Sequence, residues 1–292
     1  LNADQVDKIL LDVEKIAADA DLVNDKKILV SRFAGPALAQ RSANYILRTR
    51  SASVAKLPKI VSKPITFSLP AATDTWPRSL MVVTDEAGDE ALPQMLVFEQ
   101  ATPRSKYMLW YNIRLMPGAK IPEVPASENG AIPVDIKSLF LKLAPEDIAS
   151  AYGDVLNRGA ASLSYGLFDL AKDEFFKQVS ESQKSQVANL KTGTIKFTHT
   201  LGNKNVISLS TTKAGALVAV YMTDTYIIKP KKRGSAVAVS GQEKVLLGAD
   251  GSTRGVRSVY GDMMLFYVPA LSDTAGIRLL GVTQGLVSVR SL

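Results

Sequence analysis

Reactive side chains are scarce in this sequence of 292 residues. It holds one histidine, His199, and no cysteine. The absence of cysteine removes thiolate nucleophiles, disulfides and thiolate metal sites together. With one imidazole, carboxylates are the only other metal ligands, and no group of them has ligand spacing. A Ser-His-Asp relay would have to run through His199, yet no Gly-x-Ser-x-Gly elbow accompanies it. Nor is there a Walker A or a Gly-x-Gly-x-x-Gly sequence to cradle phosphate. Asp85-Glu86-Ala87-Gly88-Asp89-Glu90 has the composition of a calcium loop without its spacing, and reads as a charged hairpin tip. Carboxylate pairs for glycoside cleavage can come from anywhere in a chain, and nothing points to them. His199 alternates with Phe197 and Ile195 on one strand face, the setting of a half-buried structural histidine. No catalytic, cofactor-binding or metal-binding residue is therefore singled out, no cofactor is expected, and the reading leans away from an enzyme.

Binding chemistry is better represented. Lys229, Lys231, Lys232 and Arg233 form the densest positive run, either a solvated hairpin tip or a basic rim for anionic polymer, lipid headgroups or an acidic protein. Aromatic residues do not interleave with these cations, so nucleic acid is not expected. Trp76, Trp110 and Tyr111 are either core or the aromatic lining of a pocket. The charge is uneven along the chain. Residues 1–141 hold 17 Lys/Arg and 16 Asp/Glu (+1), and residues 142–292 hold 18 and 12 (+6). The first segment is acidic (Asp4, Asp7, Asp12, Glu14, Asp19, Asp21, Asp25), whereas Lys26 to Thr73 contains no carboxylate. These two stretches either neutralise each other across the fold or leave a cationic surface.

The elements that must position these groups follow from periodicity. Val6, Ile9, Leu10, Val13, Ile16 and Ala17 make a helical stripe. Residues 26–33 continue as helix or extended chain up to the breaker Phe33-Ala34-Gly35-Pro36, and residues 37–47 are helical again. Strands follow at 64–69, 80–84, 95–100 and 106–116. The last has apolar residues on both faces, which predicts a central strand or one packed on a partner. After Pro145 opens a helix, Ile148, Tyr152, Val155, Leu156 and Ala160 share one face. A second helical piece starts near Ser164 and carries Leu167, Leu170, Phe175 and Val179. Strands then run over 194–200, 206–211, 216–220, 222–228, 236–239, 244–247, 255–260, 263–268 and 277–289.

Helices followed by antiparallel strands, twice over, predict an α+β protein. The segment from Pro117 to Pro133 is rich in Pro and Gly and marks the boundary. The expected units are residues 1–125, a linker and lead-in at 126–142, and residues 143–292. The helices around 148–160 and 168–176 with the strands from 194 to 289 resemble NTF2-like, or cystatin-like, cones, so two tandem modules of that kind are expected. Pro77-Arg-Ser-Leu-Met-Val-Val83, residues 139–145 and residues 279–285 also resemble a family of uncharacterised exported proteins and lipoproteins of actinobacteria. That resemblance implies an extracytoplasmic protein tethered to the outer face of the cytoplasmic membrane. It implies no reaction. The chain starts at Leu1 without a methionine, which leads us to expect a targeting segment before it. The functional expectation is a non-enzymatic binding module of the cell envelope that contacts a protein or an anionic component. The alternative is a small-molecule-binding protein or enzyme that uses the pocket of one cone.

Overall fold

A computed structural model describes residues 1–68, 75–85, 92–126 and 130–292. Helix α1 (Ala3–Val23) begins at a reciprocal cap in which Asn2 and Gln5 bond each other's backbone N–H at 2.9 Å. It ends at Asn24, which adopts the left-handed conformation. Helices α2 (Lys26–Leu29) and α3 (Gly35–Arg50) follow. Strands β1 (Pro64–Ser68), β2 (Arg78–Thr84), β3 (Gln94–Gln100) and β4 (Met108–Arg114) form an antiparallel meander in that order. Helices α4 (Ile148–Arg158) and α5 (Glu174–Asn189) then precede the second sheet. This sheet is built from β5 (Gly193–Leu201), β6 (Ile207–Ser210), β7 (Ala216–Pro230), β10 (Val256–Val268) and β11 (Arg278–Ser291). Its order is β11-β10-β7-β5, with β6 also paired to β7. Between β7 and β10 lie β8 (Val237–Ala238), α6 (Gly241–Leu247) and β9 (Gly251–Ser252), the two short strands pairing with each other. The protein is α+β, and its sheets are antiparallel and open.

The second sheet is buried on both faces along β7 and β10, and alternation sorts its side chains into two cores. Leu217, Ala219, Met263, Leu265 and Tyr267 join the first core, with the stripe of α1 and both faces of β2 and β3. Ala216, Val218, Val220, Met222, Met264, Phe266 and Val268 join the second, with Ile148, Tyr152 and Val155 of α4. There Tyr152, Phe168 and Phe266 pack as an aromatic trio with centroids 5.1–6.2 Å apart. The Pro-rich segment is a packed strap. Ala119, Ile121 and Val124 lie against the first core, Ala131 is buried, and Pro133 bridges to Leu209 of β6. Residues 127–129 of that segment, and residues 86–91 of the expected hairpin tip, lie outside the described residues.

Several local expectations are corrected. Residues 216–228 form one strand, because Tyr221 continues the alternation instead of breaking it. Residues 256–268 likewise form one strand. Gly261 sits inside it because the Tyr221 hydroxyl occupies the space where a Cβ would lie. Residues 244–247 are helical, since Gly248 takes the left-handed conformation and donates its N–H back to Lys244. The helical piece expected from Ser164 is replaced by short 3-10 turns. Helix α5 starts only after Asp173, whose side chain accepts from the Phe176 N–H at 2.8 Å. Strand β4 lies at the edge of its sheet. Its ends are covered by a parallel bridge to Phe33 and an antiparallel one from Leu115 to Gly281.

The acidic first helix and the basic segment after it do neutralise each other in part. Arg32 meets Asp12 at 2.5 Å. Buried Arg41 holds both oxygens of Asp21, which also accepts from the Tyr45 hydroxyl.

If one sheet closes two cores, neighbouring residues of β10 that face opposite ways are both structural. Leu265→Ala is expected to cost about 2–5 kcal/mol and Phe266→Ala about 3–5 kcal/mol. Chemical denaturation should show both as a shift of the same single transition. A change in one core that leaves part of the chain melting at the wild-type midpoint would contradict this.

Candidate functional site

The lone histidine lies at the centre of a buried polar row across the second sheet. In register, His199 of β5 faces Asp224 of β7, and Asp262 of β10 faces Gln284 of β11. His199 Nδ1 is 2.5 Å from Asp224 Oδ1, and its Nε2 is 2.7 Å from the Gln183 amide on α5. With the proton on Nδ1, the neutral ring donates to the Asp224 carboxylate and accepts from Gln183; this network assigns the tautomer. Asn157 of α4 bonds both the N–H and the C=O of His199, at 2.9 and 2.8 Å. Gly153 lies against that same carbonyl, where a Cβ would come within 2.9 Å. Helices α4 and α5 thus seal His199, which is fully buried and not half-buried as its alternating strand suggests.

Burial sets the protonation of this row. It lowers the His199 pKa to about 4, with Asp262 acting in the opposite sense when ionised. It raises Asp224 to about 6. Asp262 is pushed well above the usual carboxylate range, by burial first and then by the charge of Asp224. Asp262 interacts with Asp224 and Gln284, and Gln284 Nε2 donates to Asp224 at 3.3 Å; a neutral acid beside an ionised one avoids two like charges buried side by side. The row's hydrogen bonds tie β5 to α4 through Asn157 and to α5 through Gln183.

The three candidate aromatics do not converge. Trp76 stacks under the Arg78 guanidinium, 4.3 Å from the ring centroid. Trp110 packs over Gly35, and that glycine's positive φ of 48° and missing Cβ admit the ring. Tyr111 is buried and donates to the carbonyl of Asn205. Trp110 and Tyr111 are consecutive on β4 and face opposite ways.

The basic run, in contrast, is enlarged by the fold. Lys229 is the last residue but one of β7, and Lys231, Lys232 and Arg233 form the exposed turn beyond it. Thr194 pairs with Lys229, Lys196 with Ile227, Ile227 with Arg257, and Arg257 with Arg290. Lys196, Arg257 and Arg290 therefore lie in one cross-strand row on one face of the sheet. Lys191 adjoins through the bond from the Lys231 N–H to the Thr192 carbonyl. Arg254 comes beside Lys229 because Gly255 allows close approach. A cleft of about 610 Å3 opens here, bordered by Thr194, Lys196, Ile227, Lys229, Arg254 and Leu292. None of these cations has a carboxylate partner among the described residues, and the Nε of half-buried Arg257 is unpartnered. Local sequence could reveal the run at 229–233. It could not reveal the row, whose members are scattered over four strands.

Against known proteins, the chain matches one family model over residues 1–291, described as a domain of unknown function (DUF8094). The chain belongs to that family. No curated protein and no solved structure matches it.

The two raised aspartates bind protons in the folded state that the unfolded chain releases near pH 4. They favour folding at low pH, and that contribution is lost as pH rises through about 6 for Asp224 and beyond it for Asp262. The lowered histidine works the other way, its contribution being present above about pH 6.5 and lost as pH falls towards about 4. Asp262→Asn keeps the shape of the neutral acid and removes its proton linkage. Its stability relative to wild type should climb from about pH 4 to neutrality, by up to about 1.4 kcal/mol per pH unit. Denaturation midpoints across that range check this. A constant deficit at every pH would contradict it.

Proposed function

We propose that this protein is a non-enzymatic binding module that docks the basic end of its second sheet on phosphate-bearing anions of the cell envelope. The observation that carries the reading is the direct cross-strand pairing of Arg257 with Arg290, with Lys196 in the same row and Lys229 at its edge. Like charges placed opposite each other destabilise a sheet. An arrangement that tolerates this and supplies no carboxylate suits a surface that receives its counter-charge from outside. Guanidinium groups grip phosphate through two parallel N–H donors, and the lysines around them add point charge. Wall polymers with phosphate backbones and lipid headgroups share this chemistry.

The finer fold expectation belongs to this proposal as well. The order α1–α3 then sheet, α4–α5 then sheet, supports a tandem of NTF2-like units, the second presenting the basic end. Resemblance to exported proteins and lipoproteins supports work outside the cytoplasm at a tethered position. No helix among the described residues is long and apolar enough to cross a membrane, so the tether in this reading is not one of them.

Co-sedimentation with vesicles of neutral phosphatidylcholine, with and without phosphatidylglycerol, and with a soluble poly(glycerol phosphate) separates the two sources. The protein should bind at least one anionic partner and not the neutral vesicle, with affinity falling as salt rises. Changing Lys196, Lys229, Arg257 and Arg290 together to Gln should weaken binding tenfold or more. The single change Arg290→Gln should leave stability equal or raise it by about 0.2–1 kcal/mol. Binding indifferent to lipid charge, or undiminished in the fourfold variant, would sink the proposal.

A further inference from the structure

Far from the basic turn, a cleft of about 290 Å3 opens where α3 meets both sheets. This is close to the lower end of small-molecule sites, about 300–1,000 Å3. Its apolar floor includes Phe33, Ala37 and Met263, and its polar lining is dominated by the carboxamides of Gln40, Gln94, Asn112 and Gln284. Two of these are unusual. Gln94 is 2% exposed and donates its amide N–H to the Lys59 carbonyl at 2.8 Å, which fixes the orientation of the group. Among the described residues its Oε1 meets no donor. Gln40 is 8% exposed, lies over Gly285, and has an Nε2 that meets no acceptor among the described residues. Both residues line the cleft, and leaving a buried acceptor and a buried donor unpaired is costly.

We infer that this cleft binds a small neutral polyhydroxylated molecule of the sugar type. A hydroxyl both donates and accepts, so one kind of group satisfies Gln94 Oε1 and Gln40 Nε2 together. Carboxamides match that dual capacity. The apolar floor suits the C–H face of a sugar ring. Two arginines border the cleft and neither is free for an anion: Arg41 is held by Asp21 and by the Pro58 carbonyl at 3.2 Å, and Arg114 is engaged in an interaction of its own. No Asp, Glu, His or Lys borders the space, so it holds a ligand without offering acid–base chemistry. The inference is independent of the basic end of the second sheet.

Saturation-transfer NMR and titration of the whole chain with glucose, N-acetylglucosamine and sodium acetate provide the test. Saturable binding of at least one of the two sugars is expected, with acetate inert. Gln94→Leu and Gln40→Met should each weaken sugar binding tenfold or more while the protein still melts cooperatively. Should either fail to fold, Asn112→Ala on the same wall carries the test with the same expected loss. Changing Arg257 and Arg290 to Gln should leave sugar affinity unchanged. The inference is overturned if neither sugar binds saturably, if acetate binds in preference, or if folded cleft variants bind as well as wild type.

Discussion

Strands β7 and β10 are covered on both faces over residues 216–222 and 263–268, and the rest of the molecule depends on that. A strand buried on both sides cannot be apolar on alternate positions only, and these strands are apolar at nearly every one. Because side chains alternate, odd and even residues of the same strand feed different cores. The first core needs Leu217 and Leu265 to close beneath β2 and β3. The second needs Val218 and Phe266 to close beneath α4. The first core draws its buried residues from both parts of the chain, whereas those of the second all lie between Leu141 and Ile277. The Pro-rich segment between them packs and pairs along its path.

The same sheet changes character along its strands, and this ordering links fold to site. At one end it is apolar on both faces. Midway come His199, Asp224 and Asp262, buried and held by α4 and α5. Next is an aromatic layer in which Tyr226 meets Phe197 at 4.9 Å and Tyr260 at 5.1 Å. Beyond it lie the lysines and arginines. Alternation puts His199, Asp224, Asp262 and the aromatic layer on one face and the row of Lys196, Arg257 and Arg290 on the other, so the buried acids do not pair with those cations. The basic end is open to solvent, while the imidazole and its aspartates are buried beneath α4 and α5. A polar row closed to solvent and a charged row open to it thus follow from one strand register.

The parts of this architecture that were legible in the sequence are those governed by local periodicity. The stripes of α1 and α4 were visible, because residues three and four apart must share a face. So were the alternating strand at 194–200 and the helix-then-sheet order. Misreadings arose where a local signal is ambiguous. Tyr221 and Gly261 look like interruptions, yet the Tyr221 hydroxyl fills the gap at Gly261 and both strands run through. The run at 244–247 has strand-like composition, but Gly248 ends it as a helix. The site was only partly legible. Lys229, Lys231, Lys232 and Arg233 stand together in the chain, whereas Arg257 and Arg290 join them only through pairing. An aspartate in the middle of an apolar strand, as at 224 and 262, was the one available sign of a buried polar row. Nothing local showed that the two would lie beside the only histidine.

Separating the chain at residue 142 tests the shared sheet most directly. Residues 143–292 alone retain every strand of the second sheet but lose the cover over Leu217, Ala219, Met263 and Leu265. If those side chains need the first sheet and α1, the fragment will lack a cooperative thermal transition and will bind a hydrophobic dye, and adding residues 1–142 will restore the transition. A fragment that melts cooperatively on its own, at the temperature of the whole chain and without dye binding, would contradict this account.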